Sequence, residues 1–111
     1  MHEQPTVLDQ LLAVIRDRQA NPPERSYTTT LLAGGVERIG AKLVEEAAEV
    51  VEAAAEKGSA GQQHLILEAA DLVYHLLVLL RYANVEWQEV EAELARRFGA
   101  SGLAEKAART Q

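Results

Sequence analysis

The chain has 111 residues, 17 of them acidic and 11 basic, giving a formal net charge of −6; hydrophobic residues make up 48%, aromatics 5%, and there is no cysteine. This length suits one domain, and the apolar content is too high for a disordered chain. The lack of cysteine excludes disulfides and thiolate metal sites, and the acidic balance argues against binding a nucleic-acid backbone. It leaves open a nucleotide whose phosphates arrive with a metal ion.

Thr6 and Asp9 have the spacing of a capping box, and Val7, Leu8, Leu11, Leu12 and Ile15 mark one apolar face, which predicts a helix ending near Arg18. Pro22-Pro23 removes two donors and stops it. Ser26-Tyr27-Thr28 is expected in a loop, followed by a short apolar piece, Leu31-Leu32-Ala33, that Gly34-Gly35 closes. A long helix is expected from Val36 to Lys57, with Val36, Ile39, Leu43, Ala47, Val50 and Ala54 on its apolar stripe. Lys42, Glu46 and Glu49 lie beside that stripe. Gly58-Ser59-Ala60-Gly61 supplies a turn, and a further helix covers Gln62 to Tyr82. The last helix, after Asn84, carries Trp87, Val90, Leu94 and Phe98 on its inner face, and 100–111 reads as a weakly ordered tail after a domain at 1–99.

Two acidic pairs stand out. Glu45-Glu46-x-x-Glu49 and Glu68-x-x-Asp71 are separated by 18 residues, and carboxylates three apart share a helix face. Four oxygens converging between two helices suit a hard divalent cation, and Mg²⁺ is the expected one. The second pair sits in the apolar run Leu65 to Leu80, where uncompensated charge costs several kcal/mol. Because that run is apolar on nearly every side, it needs neighbours that one small chain does not supply, and a second subunit is the expected cover. His75 reads as a hydrogen-bonded core residue and His64 as a surface residue near a helix start. Lys42 and Arg38 are open to two readings, an ordinary ion pair on the helix or a phosphate contact.

These motifs resemble the all-α, MazG-like nucleotide pyrophosphohydrolases, and within them the phosphoribosyl-ATP pyrophosphohydrolase family of histidine biosynthesis. The residues that carry the resemblance are Ser26-Tyr27-Thr28, Gly35-x-x-Arg38-Ile39, Lys42, Glu45-Glu46-Ala47-x-Glu49-Val50 and Glu68-Ala69-Ala70-Asp71-Leu72-x-Tyr74-His75. Val44 stands where the family often has glycine, a departure that leaves the acidic residues unaffected.

The resemblance implies a helical bundle completed by dimerisation (a homodimer or a dimer of dimers) and cytoplasmic hydrolysis of phosphoribosyl-ATP to phosphoribosyl-AMP and pyrophosphate. Glu46, Glu49, Glu68 and Asp71 are the expected metal ligands. Glu45, about 100° round the helix from Glu46, is expected to support them or orient the attacking water. Ser26, Tyr27, Thr28, Arg38 and Lys42 are the expected substrate contacts. Two other readings compete: a house-cleaning deoxynucleoside triphosphate pyrophosphohydrolase, and a non-enzymatic helical dimerisation module. No nucleic-acid partner, signal peptide or membrane span is expected.

Overall fold

The computed structural model describes residues 4–99, and the expected tail at 100–111 lies outside them. Four helices follow one another with no strand among the described residues: α1 (Val7–Ala20), α2 (Tyr27–Ala54), α3 (Gly58–Tyr82) and α4 (Trp87–Phe98). The expected all-α class is therefore the observed one.

α1 begins as its capping box dictates. Asp9 N donates to Thr6 Oγ1 at 3.0 Å and Thr6 N to Asp9 Oδ2 at 3.1 Å, satisfying donors that a helix start leaves open. The segment expected as a loop at Ser26-Tyr27-Thr28 is instead the start of α2. Ser26 is its N-cap, with Oγ accepting from Thr29 N at 3.2 Å, and Tyr27 and Thr28 belong to the first turn. Gly35 then breaks the helix at φ 67°, ψ −164°, a conformation essentially reserved for glycine. A Cβ there would also come within 3.1 Å of the Tyr82 hydroxyl, so Gly35 both redirects the chain and lets α3 approach.

α2 and α3 form a helical hairpin joined by residues 55–57, and this pair makes the main contact of the fold. The expected turn at Gly58 to Gly61 lies inside α3. Gly58, at φ 79°, steers the chain into the helix, while a Cβ on Gly61 would lie 2.7 Å from the Glu56 carbonyl oxygen. Gly61 thus serves a close helix–backbone approach, and only Gly58 serves the turn.

Ile15, Leu31, Ile39, Leu77 and Val78 form the buried core, with Leu8, Leu11, Leu12, Tyr74 and Trp87 packed round it. Each large side chain so buried contributes about 1.5–3 kcal/mol. The buried line of α2 runs through Ile39, Glu46 and Ala53, whereas Val36 and Ala47 of the expected stripe are exposed. Val44 (72% exposed), Val51 (70%), Ile66 (58%) and Leu67 (62%) leave an apolar surface open on the hairpin. On α4, Trp87 reaches the core but Leu94 and Phe98 stay substantially exposed, short of the continuous inner face expected. Glu86 fastens the start of α4 by pairing with Arg16 of α1 and with Arg81 of α3.

Candidate metal centre

The hairpin brings both acidic motifs to one place. Glu46 and Glu49 lie on α2, and Glu68 and Asp71 on α3, on either side of the connecting turn. Ligand oxygens of Glu46, Glu68 and Asp71 lie within 4.8 Å of one another, as do those of Glu45, Glu46 and Glu49. Glu46 belongs to both groups. Separations of this order allow the acids of either group to converge on one cation.

Burial and missing partners test whether these residues fit a cation. Glu46 is 6% exposed, and Oε2 of Glu46 and Oε2 of Glu68 are each buried without a hydrogen-bond partner. No lysine or arginine ion pair reaches Glu46, Glu49, Glu68 or Asp71 among the described residues. Burial pushes the Glu46 carboxyl up, and Glu49 and Asp71 reinforce the shift. Glu68 rises to about 7, chiefly through its hydrogen bond to Glu49, with burial and the charges of Glu49 and Glu46 adding to it. A buried acid with no counter-charge costs several kcal/mol. Oxygen ligands of this number and hardness fit a divalent cation such as Mg²⁺.

The remaining candidates fall into two groups. Lys42 is half-buried, and its Nζ lies 3.3 Å from Glu45 Oε1, an i,i+3 partner in place of the i,i+4 pairing with Glu46 that helix spacing suggested. Glu45 is exposed, yet its carboxylate joins the Glu46–Glu49 group instead of pointing clear of it. Arg38 is exposed, its stem lying over Gly34, where a Cβ would come within 2.5 Å of its carbons. Ser26 and Thr28 are turned inward: Ser26 caps α2, and buried Thr28 hydrogen-bonds the Tyr74 hydroxyl. Tyr27 keeps half its surface exposed while its hydroxyl meets His75 Nε2 at 2.9 Å.

The two histidines behave differently. His75 is the hydrogen-bonded core residue that its apolar surroundings suggested, with Nδ1 2.8 Å from the Asp71 carbonyl oxygen. His64 is partly exposed, but it does more than cover surface. Its Nδ1 meets Glu56 Oε2 at 2.8 Å and its Nε2 lies 3.7 Å from Glu68 Oε1. The i,i+4 relation of His64 to Glu68 was visible in the sequence; the approach of Glu56 across the turn was not.

Fold and site together define a class: an all-helical protein in which a two-helix hairpin gathers carboxylates into a set able to hold a metal ion. The family model for phosphoribosyl-ATP pyrophosphohydrolase matches residues 8–98. Proteins named phosphoribosyl-ATP pyrophosphatase share 56% identity over 102 residues in Rhodopirellula baltica (92% of this chain, 85% of the relative) and 50% over 103 residues in Geotalea daltonii (93% and 94%). The relative of that name in Trichlorobacter lovleyi is 47% identical over 111 residues, the full length of both chains. The chain belongs to the phosphoribosyl-ATP pyrophosphohydrolase family.

Proposed function

We propose that this chain hydrolyses phosphoribosyl-ATP to phosphoribosyl-AMP and pyrophosphate, a step of histidine biosynthesis, with Mg²⁺ held by Glu46, Glu49, Glu68 and Asp71. The observation that carries this reading is the pair of buried, partnerless oxygens on Glu46 and Glu68 within a cluster of acids. Family membership supplies the substrate. When bound, the cation neutralises phosphate charge and acts as a Lewis acid.

The chain's own groups do the positioning. Glu45 stands at the edge of the acidic group, exposed to solvent, where it orients the attacking water and is in turn held by Lys42. Lys42 and Arg38, on successive turns of α2, supply positive charge for phosphate oxygens. The exposed face of Tyr27 offers a surface to the rest of the substrate, while Ser26 and Thr28 support it by fixing the first turn of α2.

The working form is a homodimer or a dimer of dimers in the cytoplasm. The open apolar surface of the hairpin, Val44, Val51, Ile66, Leu67 and Val73, supports a second copy as its cover. No helix of the described residues is long and apolar enough to cross a membrane.

Pyrophosphate release should be measured with phosphoribosyl-ATP, ATP and the four common deoxynucleoside triphosphates, with and without Mg²⁺. Strong preference for phosphoribosyl-ATP, dependent on the metal, is the expected result. Equal or better turnover of a deoxynucleoside triphosphate would move the chain to the house-cleaning reading, and no turnover of any of them to the non-enzymatic one. Sedimentation showing a stable monomer at micromolar concentration would overturn the assembly.

A further inference from the structure

Behind the acidic cluster lies a second set of contacts that no ligand role accounts for. His75 is 4% exposed and sits one turn after Asp71 on α3. A carbonyl oxygen only accepts, so His75 Nδ1, 2.8 Å from the Asp71 carbonyl, must carry a proton. In the neutral ring Nε2 is then an acceptor, and the Tyr27 hydroxyl 2.9 Å away donates to it. The direction of the first bond is fixed by chemistry, and that of the second follows for the neutral ring.

Packing makes the arrangement stiff. Tyr27 stacks on Tyr74 with ring centroids 6.1 Å apart, and His75 meets both rings edge-on at 5.8 and 5.1 Å. Two of the chain's three tyrosines are in this group. Its place is also telling. Tyr27 precedes the break at Gly35, so the turn it belongs to does not inherit its direction from the long part of α2. The hydrogen bonds of Tyr27 and Thr28 to α3 tie that turn to the helix bearing Asp71.

We infer that Tyr27 and His75 are positioning residues for the metal centre: the Tyr27 hydroxyl orients His75, and His75 holds the turn of α3 that presents Asp71 opposite Glu46. This inference rests on the metal reading of the cluster. Hydrogen-bonded residues standing behind metal ligands typically govern affinity or activity by about ten- to a hundredfold.

Calorimetric titration of Mn²⁺ into the full chain tests it, alongside steady-state kinetics and thermal melts. Tyr27→Phe keeps the ring and its stacking and removes one hydroxyl. It should weaken Mn²⁺ binding about tenfold and lower kcat, with the nucleotide KM and the Tm little changed. His75→Leu should lose at least as much, and His75→Gln, which retains an acceptor for Tyr27, should recover part of the loss. Should His75→Leu fail to fold, Tyr27→Phe decides alone. Wild-type Mn²⁺ affinity in Tyr27→Phe overturns the inference, whether its Tm falls or only its KM rises; the latter would give the hydroxyl to the substrate. Glu46→Gln is the control for the site itself. If the wild-type chain takes up no Mn²⁺, or Glu46→Gln binds it equally well, the metal reading fails and the inference with it.

Discussion

Two acidic regions of this molecule use the same residue types and nearly the same helical spacing, and their electrostatics run in opposite directions. On α4, Glu93 accepts from Arg96 at 3.0 and 2.7 Å and from Arg97 at 2.8 Å, and these hydrogen bonds hold its carboxyl at about 2. At the α2–α3 hairpin, the acids face one another, and Glu68 is driven up to about 7 while Glu46 also rises. Glu93 carries its own counter-charge on adjacent turns of the same helix. Among the described residues no lysine or arginine pairs with Glu46, Glu49, Glu68 or Asp71, His64 approaches Glu68 only to 3.7 Å, and two of these acids' oxygens are buried without partners. The contrast separates an acid with its counter-charge beside it from acids that leave two oxygens buried and unpaired.

The largest break in that comparison should come from removing one hairpin charge. Glu46→Gln or Asp71→Asn should lower kcat by about three orders of magnitude or more, since a Lewis-acid metal contributes several kcal/mol and each 1.36 kcal/mol is tenfold. The same variants should melt at or above the wild-type temperature in EDTA, because crowding is relieved. Near-wild-type turnover with Mg²⁺ present would show that the acids hold no catalytic metal.

A metal should supply the missing counter-charge and stabilise the fold. At a concentration about a hundred times its Kd, the cation should add about 2.7 kcal/mol to the unfolding free energy of the wild-type chain. Differential scanning with Mg²⁺ or Mn²⁺ should show a Tm rise of several degrees that Glu46→Gln lacks. An equal rise in both would place the ion elsewhere.

Titration of the metal-free chain should sharpen the contrast further. Glu68 has a folded-state pKa raised from 4.5 to about 7, so its protonated form is the one the fold favours. Its contribution is fully present below about pH 4.5 and is lost as pH rises through about 7. Denaturant melts in EDTA should therefore show wild type losing stability relative to Glu68→Gln between those values. Glu93 has the opposite sign: its contribution is present above pH 4.5 and lost as pH falls through about 2.

The smallest effect belongs to Glu93→Gln. Arg96 and Arg97 are exposed, and exposed pairs of this kind are screened by solvent and salt. At pH 7 the substitution should barely move Tm and leave kcat unchanged. A large loss of activity would mean that the end of α4 belongs to the site.

Local rules in the sequence sufficed for several features. Thr6 and Asp9 fix the start of α1 because a capping box needs only residues three apart, and the three-residue spacing puts Glu46 with Glu49 and Glu68 with Asp71. His75 could be recognised as a core residue from its apolar neighbours. Other features depended on contacts between distant segments. Helical propensity does not reveal that Ser26 caps a helix running on to Gly35, because Thr28 and Tyr27 are held there by Tyr74 and His75, nearly fifty residues away. The apolar stripe of α2 pointed to Ala47 as a buried position, yet the hairpin buries Glu46. Periodicity ranks faces by hydrophobicity, and a face that trades apolar burial for a cluster of acids ranks low. Nor does it show that Lys42 takes Glu45 instead of Glu46, since both are within reach on one helix and the choice follows from Glu46 turning toward α3. The sequence alone determined the all-helical class and the pairing of carboxylates three apart on one helix face, because those follow from neighbours along the chain. Only the tertiary structure decided which oxygens lose water and partners together, because burial depends on how two helices close against each other.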